Sequence, residues 1–121
     1  MSKTVLIIDD EENIRFILKD TFQDTGFKVL EAEDGLQGLE QLENNHVDVI
    51  LSDIKMPNLD GIEFSKKAKA LKNEVPIFLI TAFSDYSEKE ILSIGVEAII
   101  FKPFDIMEIV EVVNDAISKE K

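Results

Sequence analysis

The chain has no cysteine among its 121 residues, which excludes a disulfide framework, a thiolate metal site and a cysteine nucleophile. Proline and glycine number only three and five, and no Pro/Gly/Ser-rich linker, repeat or low-complexity tract divides the sequence. Long apolar runs are also missing. No segment approaches the roughly 20 apolar residues a bilayer crossing needs, and the run in MSKTVLIIDDEEN is too short for a signal peptide. Basic residues are outnumbered, 13 against 25 acids, for a net charge of −12. That balance argues against direct binding of nucleic acid or an anionic membrane, since both need a basic patch. The expectation is one cytoplasmic domain over residues 1–121, long enough to bury its own core. Most of the excess acid reads as a solvated surface. Whether some of it converges is the sharper question.

Short β-branched runs alternate with longer helical stretches. The sequence predicts strands at 4–8, 28–32, 47–52, 76–81 and 98–101. Four of these lack polar alternation, as strands covered on both faces do, and the second alternates better, placing it nearer an edge. Between them run helical patterns. The first, at 13–25, carries Ile14, Ile17/Leu18 and Phe22 and stops at Gly26. The second opens at Asp34-Gly35 and carries Leu36, Leu39 and Leu42. The third spans 61–71 with Ile62, Phe64, Ala68 and Leu71, and the fourth lies near 84–94. The last follows Asp105 as N-cap and carries Ile106, Ile109, Val110, Val113 and Ile117. Five such alternations predict a parallel sheet with helices on both faces.

In such a sheet ligands gather beyond the carboxyl ends of the strands. The first strand delivers Asp9 and Asp10 there, the third Asp53, the fourth Thr81 and the fifth Lys102. If the first and third strands are neighbours, three carboxylates share one space and repel, so protons or a cation must join them. All-oxygen ligands beside open solvent suit Mg²⁺. With a lysine and a hydroxyl facing the same point, Asp53 becomes a candidate nucleophile toward a phosphoryl group. Each piece alone has an ordinary explanation as a helix cap, a turn or a strand end. Their joint placement does not.

The motifs IIDDEEN, LSDIKMPNLDG, LITA and FKPF, in this order and spacing, resemble the receiver domains of bacterial two-component response regulators along the whole chain. The resemblance implies the CheY-like, flavodoxin-like fold, a doubly wound five-stranded parallel sheet of order 2-1-3-4-5 with five helices. It implies that Asp53 accepts a phosphoryl group from a phosphohistidine of a sensor histidine kinase or phosphotransfer protein. It also implies Mg²⁺ held by Asp10, Asp53 and the backbone carbonyl of Lys55, with Asp9 beside them. Lys102 pairs with a phosphoryl oxygen, and Thr81 donates to it on activation. The Lys102-Pro103 peptide is expected to be cis. Pro57 and Gly61 match the loop after the acceptor. The switched surface is then read by a downstream effector, by a monomer or a phosphorylation-dependent dimer.

One departure stands out. The family's switch position often holds Tyr or Phe and here is Ile99, which has no ring to flip; Phe101 shares its face of the strand and is the alternative. Lys55 and Phe83 occupy places that flank attacking water in the family, which predicts slow loss of the phosphoryl group. Phe16, opposite the first helix's apolar stripe, is expected to dock a kinase's helical bundle with Ile14 or Ile17, Pro103 and Phe104. His46, beside Asn44-Asn45, reads as a surface loop residue. The first and last helices look most like sporulation-relay and nitrogen-regulation-type receivers, so the chain is either a stand-alone receiver or part of a longer regulator. A haloacid-dehalogenase-type phosphatase would want D-x-D after the first strand, where DDEEN has adjacent acids. A flavodoxin-like cofactor binder would want a phosphate loop there. An inert scaffold on the same fold would not need the complete acceptor set.

Overall fold

The computed structural model describes residues 3–82 and 87–119. Five strands, β1 (Thr4–Ile8), β2 (Lys28–Ala32), β3 (Val49–Asp53), β4 (Ile77–Thr81) and β5 (Ala98–Phe101), alternate with α1 (Glu12–Asp24), α2 (Gly35–Asn44), α3 (Gly61–Leu71), α4 (Glu88–Ser93) and α5 (Ile106–Lys119). The strands form one parallel sheet, as the sequence predicts, in the order β2-β1-β3-β4-β5 that the resemblance implies. The alternating strand β2 is an edge.

Period-two alternation sends successive side chains to opposite faces, each covered by helices. On one face Leu6, Ile8, Ile50, Ile77 and Leu79 meet Leu42 of α2, Phe64 and Ala68 of α3 and Ile91 of α4. On the other, Val5, Ile7, Val49, Leu51, Phe78 and Ile80 meet Leu18 and Phe22 of α1 and Ile109, Val110, Val113 and Ile117 of α5. Strands β1, β3 and β4 are buried throughout. Truncating a residue such as Phe78 in this double layer costs on the order of 3–5 kcal/mol.

Several boundaries shift from the sequence expectation. Strand β3 starts at Val49 and reaches Asp53, which pairs with Ile80, while Asp48 folds back to accept the Thr4 N–H on Oδ2 at 2.8 Å. Strand β4 starts at Ile77 because Pro76 has no N–H for the ladder, though its carbonyl accepts from Ile50. Helix α4 begins at Glu88, capped by Ser87, later than the expected 84; residues 84–86 lie outside the described residues. Helix α1 turns Leu18 and Phe22 inward and leaves Ile17 exposed, so Ile17 is not part of the core stripe. Leu36 and Leu71, expected on buried faces, are exposed as well. Gly26 ends α1 at φ 94°, a left-handed conformation that favours glycine. No helix among the described residues is long and apolar enough to cross a membrane.

Candidate functional site

The register of the sheet builds the site. Ile8 pairs with Ser52 across β1 and β3, so the next residue of each strand, Asp9 and Asp53, emerge side by side. Asp53 pairs with Ile80 and Thr81 with Phe101, which carries Thr81 and Lys102 to the same edge. The Lys102 N–H donates to the Thr81 carbonyl at 2.8 Å. By strand alternation Asp9, Asp53 and Lys102 belong to the α1/α5 side, and Thr81 to the other. Thr81 is buried at the strand end.

Asp9 is 1% exposed and Asp53 6%, whereas Asp10 faces solvent. Asp9 Oδ1 accepts the Glu11 N–H at 2.8 Å, and Asp53 Oδ1 accepts the Ile54 N–H at 2.8 Å. The Lys102 ammonium lies 3.6 Å from Asp53 Oδ2 and 4.0 Å from Glu11 Oε1. Burial pushes the Asp9 carboxyl up to about 6, with the Asp53 charge adding to the rise and the Glu11 amide and Lys102 opposing it. Burial also raises Asp53, against the pull of Lys102 and the Ile54 amide. Both acids are strained as anions. That fits two carboxylates brought together in a partly dry cleft beside Lys102.

Asp9, Asp10 and Asp53 each offer an oxygen within 4.8 Å of the others, and buried Asp9 Oδ2 accepts no hydrogen bond from the described residues. A buried anionic oxygen without a partner is costly. An all-oxygen, acidic, half-open donor set of this kind fits a hard divalent cation.

The loop after Asp53 is held close. Gly61 N–H donates to the Ile54 carbonyl at 2.7 Å, and a Cβ on Gly61 would stand 2.3 Å from the Asp53 carbonyl oxygen. Only a hydrogen fits there, which gives the expected glycine its physical reason. Lys55 and Pro57 are exposed. The Lys102-Pro103 peptide is cis, as the resemblance implies.

The other expected residues divide. Phe16 is 67% exposed, and Ile17 and Pro103 are also exposed, but Ile14 and Phe104 are half-buried against the α1/α5 core. Of the expected docking residues, Phe16, Ile17 and Pro103 are therefore the ones most open to solvent. Ile99 packs against the core beneath α2–α4, while Phe101 is largely exposed, so the available ring sits outside the core. His46 is a surface residue, within 2.9 Å of Asp48 Oδ1. Phe83 lies outside the described residues.

Three contributors escaped the sequence reading. Arg15 Nη1 donates to the Asp9 carbonyl at 2.6 Å and reaches Glu31 and Glu33 on and beyond β2, tying α1 to the acidic corner. Glu11 sets the Asp9 carboxylate through its amide. Asn58 crosses to Asp34 at 2.6 Å. The spacing of Arg15 from Asp9, just over one helical turn into α1, was the available signal for the first; the last joins residues 24 apart and left none.

Residues 5–114 match the family model described as the response regulator receiver domain. The chain is 33% identical to sporulation initiation phosphotransferase F of Bacillus subtilis over 98% of its own length and 94% of that protein. It is 35% identical to the regulatory protein AtoC of Escherichia coli over 93% of its length, spanning 25% of that longer protein. Among solved structures, a CheY-like receiver domain protein from Methanospirillum hungatei superposes with a TM-score of 0.94 at 27% identity, covering 98% of this chain and 96% of that one.

Proposed function

The chain belongs to the response regulator receiver domain family, and from that premise we propose that Asp53 is its phosphoacceptor, supplied by the phosphohistidine of a sensor kinase or phosphotransfer protein. One observation carries the reading: the Lys102 ammonium stands 3.6 Å from Asp53 Oδ2 in a cleft where Asp9 and Asp10 complete a three-acid cluster.

In the transfer an Asp53 oxygen forms a P–O bond as the P–N bond of the phosphohistidine breaks, and the leaving imidazole keeps the electron pair and takes up a proton. Lys102 orients the carboxylate and offsets charge on the phosphoryl oxygens. Thr81, at the adjoining strand end, donates to one of them. Asp9, Asp10, Asp53 and the Lys55 carbonyl would hold Mg²⁺. When bound, the ion supplies positive charge that offsets the acids and the roughly −1.5 to −2 charge of the phosphoryl group. Phosphorylation then shifts the surface presented to a downstream effector.

The protein acts in the cytoplasm as a signalling domain that promotes only its own phosphorylation and dephosphorylation. Acetyl phosphate with Mg²⁺ tests this. A receiver gains one acid-stable, base-labile phosphoryl group, and Asp53→Asn abolishes the gain. Turnover of varied phosphate esters without a stable label would mark a phosphatase instead.

A further inference from the structure

The loop from Asp53 to Gly61 leaves β3 and returns through a closed neck. Ile54 N–H donates to the Ile80 carbonyl at 3.1 Å and Gly61 N–H to the Ile54 carbonyl at 2.7 Å. Its tip is fastened from outside. Asn58 Nδ2 donates to Asp34 Oδ2 at 2.6 Å, and the Gly35 N–H donates to the Leu59 carbonyl at 3.2 Å. Asp34 is itself buried and fixed, because its Oδ1 caps α2 by accepting the Gln37 N–H at 2.9 Å. These two hydrogen bonds pull the carboxylate below its ordinary range, so it meets Asn58 as an anion.

Asn58 satisfies two demands at once. Its φ of 67° is left-handed, a region that Asn, Asp and Gly enter more readily than other residues. Its amide must also donate to a carboxylate. Glycine meets only the first demand. Aspartate meets the first but sets a second anion against Asp34.

We propose that the Asn58–Asp34 pair is a positioning latch, which holds the Lys55 segment of the loop in place and so sets the affinity of the acidic cluster for its divalent cation. Met56 and Leu59 pack on the core and keep the loop folded, while the latch fixes its tip to α2. This rests on reading Asp9, Asp10 and Asp53 as the metal site, with the Lys55 carbonyl among the ligands.

The test is an NMR titration of the whole chain with MgCl₂, following amide shifts at the site, with thermal unfolding measured in parallel. Asn58→Gly and Asn58→Asp each weaken Mg²⁺ binding about tenfold, as loss of a partner outside the ligand shell commonly does. Combining Asn58→Asp with Asp34→Asn, which exchanges donor and acceptor, restores most of the loss. That rescue is not expected of a merely destabilised fold. Asn58→Gly keeps the left-handed backbone available and carries the test if Asn58→Asp unfolds.

Wild-type affinity in Asn58→Gly and Asn58→Asp, or an exchange variant as weak as Asn58→Asp, overturns the latch. Asp10→Asn separates the premises. If it leaves Mg²⁺ binding unchanged, or if the wild type binds none, the metal-site reading fails and the latch with it. If it abolishes binding while Asn58→Gly binds normally, only the latch fails.

Discussion

Lys102 Nζ stands 3.6 Å from Asp53 Oδ2, so a cation just past the last strand faces a buried carboxylate at the end of the central one. The pair is a preorganised charge contact in a cleft already rich in acid. Removing the cation leaves Asp53 harder to ionise and the incoming phosphoryl oxygens without a partner. Lys102→Met slows labelling by acetyl phosphate about a hundredfold, the scale on which loss of one preorganised donor is felt. Labelling rates under saturating Mg²⁺ check this; an unchanged rate would remove Lys102 from the chemistry.

Asp9 gives a pH prediction. Its carboxyl is raised from 3.8 to about 6 in the fold, first by burial, so the folded chain holds this proton more tightly than the unfolded chain. The group's stabilising effect is full below about pH 4 and lost by about pH 6. That loss, on the order of 2–3 kcal/mol, is the cost of holding the buried anion without metal. Asp9→Asn therefore stabilises the protein in EDTA at neutral pH, and the gain shrinks toward pH 4. Urea unfolding at the two pH values decides it, and a variant less stable than wild type at neutral pH contradicts it.

Gly61 abuts the Asp53 backbone so closely that a methyl group would lie 2.3 Å from the carbonyl oxygen and 2.8 Å from Ile54 Cα. Both obstacles are main chain and cannot swing aside. Gly61→Ala destabilises by about 1–3 kcal/mol, as overpacking does, and impairs phosphorylation by moving the loop. The matched comparison is Gly26→Ala. Its Cβ meets nothing within 4 Å, so its cost is conformational and labelling should be normal.

Phe16 projects into solvent from α1 with Ile17 beside it. An exposed aromatic on the helix that follows Asp9 and Asp10 fits a docking anchor for the donor protein. Phe16→Ala weakens phosphotransfer from a kinase or phosphotransfer protein severalfold to tenfold or more, the range of an aromatic anchor. It leaves labelling by acetyl phosphate intact. Equal loss with both donors would show that the ring serves the fold.

The legible part of this molecule was what repeats or ends. Uninterrupted apolar runs at residues 5–8 and 49–51 announced buried strands, and Asp9, Asp53 and Lys102 announced the site because each follows such a run. The site's supports were not legible. Arg15 reaches a backbone carbonyl, for which only its spacing from Asp9 into α1 gives a signal, and Asn58 finds Asp34 only after β1, β2 and β3 are assembled. Ile17 misled because an apolar residue beside Leu18 fits a helical stripe equally well; packing against α5 and the sheet chose Leu18. Pro76 sets the start of β4 at Ile77 through its missing N–H.

The most direct measurement maps the phosphoryl group. Wild-type protein labelled by a phosphohistidine donor is reduced with borohydride, which converts an aspartyl phosphate to a stable alcohol, and the peptides are read by tandem mass spectrometry. The account predicts one modified residue, Asp53, with none in Asp53→Asn. Modification at Asp9, Asp10 or a hydroxyl instead, with Asp53 untouched, would contradict it.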